Sequence, residues 1–402
     1  MKKWLPFAII LPALAACGSD EATETQAQDL SEASWDDIVS EAEGKEIGMY
    51  MWGGDEGVNQ YMDDFVKPRL EEEYDITFNR YPMDAPDFLN RLMTEKEAGQ
   101  TEGGADLLWI NAENFRTAKE NDLLYGDFAG TLPNLQEYIG TDVPFVNYDT
   151  GTPIEGHEAP WGNVQFTFQV NPDMVDEIPE SLDDLMQWSI DNPGLFTYPN
   201  VNDFTGNTFI RHVMYHVADD PADLAEYDEE WLENNGDDVW ESLRSFKESL
   251  WREGETYPET SEQLDQMFAN GEVAFAMGFN EHRDIGMIED GIFPENTKTI
   301  SLEPGSIGNT HYLSVPFNTQ EPEAALVAIN FMLSPEAQIK KLDPAMWGEG
   351  HVLDADTLTE EQQAEAEELT GPAVVEQDEM LPELDARYFD WVIEHWEREI
   401  VQ

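Results

Sequence analysis

Three short apolar runs, residues 45–52 (KEIGMYMW), 76–81 and 105–110 (ADLLWI), are separated by helical stretches at 58–73 and 85–98. That order leaves little choice of fold. A short apolar run bounded by polar residues marks a strand buried on both faces, and strands joined through helices cross over right-handed in an α/β sheet. Pro68 is expected to interrupt the first of these helices. The middle of the chain repeats the theme. Residues 163–170 alternate like a strand, 181–189 read as helix and 194–198 as a short strand. A helix over 205–217 opens after Asn202-Asp203, and a helix at 263–269 precedes a strand at 273–279. Residues 310–316 form a further strand, 323–333 an amphipathic helix closed by Ser334-Pro335, and 354–368 an acidic, solvated helix or loop. The aromatic-rich stretch 384–400 reads as a helix packed on the body, and 34–43 as a short first helix.

Charge narrows the setting. The chain carries 86 Asp and Glu against 20 Lys and Arg, a formal net charge of -66. Such a balance occurs in disordered chains, but 41% hydrophobic residues with 12 Trp, 20 Phe and 13 Tyr supply a real core. The acids therefore form a solvated surface suited to a salty exterior, where a Debye length of about 3 Å at 1 M salt screens self-repulsion. Nucleic acid is excluded as a partner, because phosphate contacts need clustered Lys and Arg and the sequence has no such cluster.

The N-terminus supplies an address. Lys2 and Lys3 precede an uncharged apolar run over 4–16, too short for a membrane-spanning helix of about 20 residues but right for the core of a secretion signal. It ends in Leu14-Ala15-Ala16-Cys17, with the single cysteine of the chain, and resembles a bacterial lipobox. This reading makes 1–16 a signal peptide, Cys17 the lipidated residue, and 17–44 an acidic tether with the first helix. It places the protein on the periplasmic or extracellular face as a membrane-anchored lipoprotein. One acyl chain holds a membrane only marginally, so several chains are expected at Cys17. The competing reading is an ordinary secretory signal and a buried cysteine. Either way, no disulfide can form within the chain.

Several segments together resemble type II periplasmic binding proteins: 323–338 (EAALVAINFMLSPEAQ) and 264–275 (LDQMFANGEVAF). More narrowly, the chain is similar to the YnjB-like branch, through Trp52-Gly53-Gly54, 81–86 (YPMDAP), 106–111 (DLLWIN) with Glu113-Asn114-Phe115, 158–162 (EAPWG), and 196–199 (FTYP) with 203–206 (DFTG). One departure is Asn111-Ala112-Glu113, where Asn-Gly-Glu is expected, which puts the backbone of that loop in question. The resemblance implies an α/β fold of two lobes with hinge strands and an interlobe cleft. Lobe one would comprise 45–160 plus 313–340 and lobe two 161–312, with 341–402 a C-terminal helical segment crossing both. The crossings would fall at 161–166 and 311–316. It further implies a monomeric solute-binding subunit that closes on a small polar organic solute, of thiamine-like chemistry, and delivers it to an ABC permease. No cofactor, metal or catalysis is expected. The alternatives are a secreted lipoprotein enzyme and a structural lipoprotein on the same fold.

Candidate ligand-binding residues sit where loops leave strands. Gly53 and Gly54 follow a strand and let the backbone approach a solute, beside Trp52 as a stacking plate; the bland reading is a turn with a core Trp. Asn111, Glu113 and Asn114 follow another strand and offer amides and one charge for a cation, or merely cap a helix. Trp161 lies at the first crossing and Tyr312 at the second, while Asp203 and Thr205 open a helix and cap it in any case. Asn280 and Trp347 complete the set. Stacked aromatics with a carboxylate suit a cationic ring, at roughly 0.5–2 kcal/mol per contact. The aromatics serve equally well as core.

His212 and His216 share a helix face at metal-ligand spacing, but without a third ligand they read as packed or surface residues. No nucleophile elbow or phosphate-binding loop is present, and no pair among the acids is singled out for glycoside hydrolysis.

Overall fold

A computed structural model describes residues 30, 33–54, 56–141, 143–218, 220–224, 227–344, 346–370 and 380–401. The expected signal peptide, Cys17 and most of the tether lie outside the described residues.

Among the described residues nine strands form, β1 Glu46–Met51, β2 Thr77–Pro82, β3 Leu107–Ile110, β4 Tyr148–Asp149, β5 Thr152–Pro153, β6 Glu158–Val170, β7 Phe275–Phe279, β8 Lys298–Ile300 and β9 Gly308–Ser314. The first three make a parallel sheet in the order β2-β1-β3, joined through helices. β9 then pairs antiparallel with β3 on one side and with β6 on the other. β6 is shared by two sheets: residues 158–165 face β9, and residues 166–170 pair with β7, the last three of them also with β8. One continuous strand, buried at all 13 positions, thus runs from one lobe into the next.

Each lobe has its own core. In lobe one the alternation of β1 sends Met49 and Met51 to one face and Tyr50 to the other. The first face meets Phe78, Leu107, Trp161 and the Pro322–Met332 helix; the second meets Phe88, Ile110, Phe115 and Tyr312. In lobe two Phe166, Phe168 and Val170 of β6 pack on Phe209 and Val213 of the Phe204–Val217 helix and on Trp240, Phe275 and Met277. The C-terminal part follows both: Val352, Leu353 and Leu358 join the lobe-one core, whereas Leu384, Tyr388, Val392 and Trp396 join that of lobe two.

Three local expectations are corrected, and one helix was not foreseen. The Pro322–Met332 helix is not amphipathic: every residue from Ala324 to Met332 is buried, because the Trp35–Ala42 helix covers its outer side. Pro68 does not interrupt its helix. Glu56–Gln60, a π-turn at Tyr61–Val66 and Lys67–Tyr74 run on without a break, since the widened turn precedes the proline and makes room for its ring. Residues 194–198 form no ladder; the Leu195 carbonyl accepts from Ala274 and that of Phe196 from Trp251, each at 2.8 Å, so the segment bridges two different partners. Finally, Glu229–Phe246 is an 18-residue helix with Asp228 as its cap, hidden in the sequence by acids and by Asn-Asn-Gly at its centre.

Candidate functional site

Where β6 and β9 cross between lobes, aromatic side chains collect. Trp109 of β3 stands at their centre, with ring centroids 5.2 Å from Trp161, 5.6 Å from Trp347 and 5.0 Å from His311. Trp52 adds a perpendicular ring 6.4 Å from Trp109. The cluster is graded, for Trp161 is wholly buried while Trp52 is 47% exposed. The glycines beside Trp52 have a definite cause. A Cβ on Gly54 would fall 2.5 Å from the Trp52 ring, and one on Gly53 would fall 2.8 Å from Cβ of Pro82. They are bare because protein already lies against them.

Beneath the rings lies a buried charge network that the sequence reading missed. Lys341 donates to the Trp161 carbonyl at 2.6 Å and to Glu349 at 3.4 Å, with its ammonium 5.3 Å from the Trp347 ring centroid. His311 Nδ1 approaches the same carboxylate at 3.1 Å. Glu349 sits over Gly162, where an added Cβ would come 1.7 Å from its Oε1. Burial opposes the Glu349 charge, but His311 and Lys341 outweigh it and hold the carboxyl below its usual range. Burial brings Lys341 down to about 8 despite Glu349. Glu281, from lobe two, is pushed up to about 7 by burial although it accepts the Gln165 N–H at 3.1 Å. Lys341 and Lys340 form the one Lys-Lys pair after the signal region, which was the available clue.

The remaining expected residues fall in several places. Asn280, at φ 74°, donates to the Gly348 carbonyl at 2.7 Å and accepts from the His282 N–H at 3.0 Å. It therefore fastens the loop after β7 to the strap carrying Trp347. Asn111 is extended and its side chain does not cap the Ala112–Glu120 helix, so the capping alternative is not used. Ala112 adopts φ 53°, the left-handed region that favours the glycine found missing here, and its N–H is held by Asp149. Glu113 pairs with Arg116 one turn on, and Asn114 is half-buried beside it. Asp203 caps the Phe204–Val217 helix through Thr205 and Gly206, at 2.9 and 3.1 Å, and also accepts from Ser261. Thr205 itself is buried.

Between those two cap residues Phe204 stands 43% exposed, 5.2 Å from Phe279 and with Arg211 behind it at 5.3 Å. Sequence reasoning passed over it; an apolar residue directly after a cap residue was the signal. Trp161 and Tyr312 are core residues of lobe one rather than open plates, and Tyr312 donates to the Phe145 carbonyl at 2.9 Å. The two histidines part company: His212 contacts the Gly305 carbonyl at 2.7 Å, and His216 reaches Asp183 at 3.3 Å. Among the described residues no group of three or more His, Cys, Asp or Glu is placed to hold a metal, and no helix is long and apolar enough to cross a membrane.

Two α/β lobes that share crossing strands, with a polar and aromatic seam at the crossing, define a type II periplasmic binding protein. The chain belongs to the bacterial extracellular solute-binding protein family, whose model matches residues 61–350. It is 36% identical over 333 residues to Protein YnjB of Escherichia coli K12, spanning 82% of this chain and 85% of that one. Among solved structures it is similar to an extracellular solute-binding protein of Bordetella parapertussis (TM-score 0.67, 12% identity, 88% of this chain and 98% of the other). An ABC transporter protein of Clostridium perfringens gives a TM-score of 0.64 at 18% identity, covering 88% and 98%. A periplasmic thiamin binding protein gives 0.55 at 17%, covering 89% and 96%.

Proposed function

We propose that this protein captures a small polar organic solute of thiamine-like chemistry between its lobes and presents the closed form to an ABC permease, tethered by lipid at Cys17. The graded aromatic cluster carries this reading. Trp52 offers a half-exposed indole backed by Trp109, an aromatic face that attracts a cationic ring. Asn111 and Asn114 supply amides from lobe one; Phe204, next to Asp203 and Thr205, supplies a second exposed ring from lobe two. Trp161, Tyr312, Trp347 and Asn280 support these contacts from below and across the seam. A solute touching both lobes favours the closed population by the affinity gained only there. The thiamin-binding neighbour shares the fold and lends the solute class its plausibility.

Titration of tryptophan fluorescence with thiamine and related heteroaromatic cations tests the proposal. Saturable quenching is expected, and Trp52→Ala should weaken it about tenfold, in line with roughly 1–2 kcal/mol for a stacked cation, without lowering the melting temperature. Equal affinity in the variant, or no response to any cation of the panel, removes this reading.

A further inference from the structure

The lobes also touch away from the crossing strands. Gly151, in the turn of the β4–β5 hairpin, has φ 78°, and a Cβ placed on it would fall 2.7 Å from Oδ2 and 3.1 Å from Cβ of Asp385. Glycine is required there twice, by the left-handed backbone and by the carboxylate lying against it. The hairpin is fixed to lobe one. The Tyr148 carbonyl accepts the Tyr312 hydroxyl at 3.3 Å, Asp149 holds the Ala112 N–H, and Lys119 donates to the Pro153 carbonyl and pairs with Glu155 at 2.7 Å. Asp385 is fixed to lobe two. It caps the Ala386–Trp396 helix by accepting the Arg387 N–H at 2.9 Å, and that helix sends Tyr388, Val392 and Trp396 into the lobe-two core. The Arg387 side chain turns back to grip the same carboxylate at 2.8 and 2.7 Å, with its guanidinium 4.4 Å from the Tyr227 ring centroid.

Beside this contact an open cavity of about 660 Å³ separates the two lobes, walled by Arg116 and Lys119 of the Ala112–Glu120 helix, by Thr152 and Pro153 of the hairpin, and by Asp385 and Arg387. Of the 20 Lys and Arg in the chain, three meet at this one cavity, against 86 acids elsewhere and around it. Two such acidic lobes repel each other, and positive charge at their junction offsets the repulsion. Burial opposes the Asp385 charge, but Arg387 and, from the facing lobe, Arg116 keep its carboxyl below the usual range. Arg116 also pairs with Glu113, whose side chain is 56% exposed, and so exposed a pair is exchanged at little cost. One carboxylate set against a turn beside an open cavity can part and re-form, as a large apolar interface cannot. We propose that Asp385 latches lobe two to the Gly151 turn of lobe one, with Arg387 and Arg116 as its cations on either side. The latch lies on the helix that begins in the Asn111–Asn114 loop, so opening of the cleft and movement of that loop are joined. It goes beyond the solute reading and stands whichever solute is bound.

Hydrogen exchange read by mass spectrometry on the solute-free protein tests the latch across the lobes. Asp385→Asn keeps the helix cap and removes the charge, and should speed exchange of residues 148–153 in lobe one by about two- to fivefold. Arg116→Gln, made in lobe one, should do the same to residues 384–389 in lobe two. Arg244→Gln breaks a pair with Glu399 that lies wholly within lobe two, and should leave 148–153 unchanged. A second measurement asks whether the contact forms in solution. With Gly151→Cys and Asp385→Cys together, the Cβ separation of 3.1 Å lies close to the disulfide range of about 3.5–4.5 Å, so a mild oxidant should remove two thiols and join the lobes. Should Asp385→Asn fail to fold, Arg116→Gln read at 384–389 decides alone. The proposal is overturned if each variant loosens only its own lobe, or if the paired cysteines stay reduced under oxidant.

Discussion

Two glutamates of lobe one are almost equally buried and behave in opposite ways. Glu349, 3% exposed, lies over Gly162 and is held below the usual carboxylate range, because His311 and Lys341 outweigh the penalty of burial. Glu158, four positions earlier on the same strand as Gly162, meets no such partner, and burial drives its carboxyl well above that range. Depth is the same; company differs. Burial alone therefore says nothing about whether an interior acid stabilises this fold, and the neighbours on the next strand decide it.

The largest expected effect comes from making the first glutamate resemble the second. Lys341→Met keeps the volume but leaves Glu349 with His311 alone, and should destabilise the protein by about 3–5 kcal/mol, measured by urea unfolding at neutral pH. A loss below 1 kcal/mol would erase the contrast. Next comes pH. Asp149 and Glu281 are both pushed up to about 7 by burial, so the folded state binds more protons than the unfolded chain between the ordinary carboxylate range and neutrality. Their contribution therefore falls as pH rises through that window, by up to about 1.4 kcal/mol per pH unit for each group, and levels off above it. Glu349 runs the other way: its contribution is complete above the ordinary range and is lost as pH falls below it. Stability should decline from about pH 4.5 to 7, and Glu281→Gln should flatten the decline; an unchanged profile would show that Glu281 is not titrating there. The smallest effect tests contact rather than charge. Gly162→Ala forces Glu349 and Lys341 aside and should cost about 1–3 kcal/mol, whereas Gly99→Ala, which meets nothing within 4 Å but sits at φ 67°, reports backbone strain alone.

Much of the frame was legible in the sequence because it is written locally. The alternation of 163–170 falls within β6, and Asp203 caps its helix as its position required. The charge network was not legible, since Lys341 and Glu349 meet His311 and Glu281, 30 to 68 positions earlier in the chain, only after two lobes have formed. The same holds for Asp149 and Glu158, which look like any other acids among 86. The glycines of Trp52-Gly53-Gly54 show a subtler gap: their smallness was clear, but not that an indole and a proline ring already fill the space. Ala112 marks the reverse case, where a departure from the family pattern flagged a real left-handed residue.

The single β6 ribbon serving both lobes has a consequence for how such a chain can vary in length. Phe166, Phe168 and Val170 enter the lobe-two core while Thr167 and Gln169 point the other way, and the ladder partners of residues 158–165 are fixed at the far end. One added residue near Gln165 would exchange those two sets, sending amide and hydroxyl into the phenylalanine core. Between Gln165 and Val170 the strand keeps its core only if it lengthens by two residues or takes up one in a bulge, as it already does between Pro160 and Gly162, so unbulged single-residue insertions there should unfold lobe two.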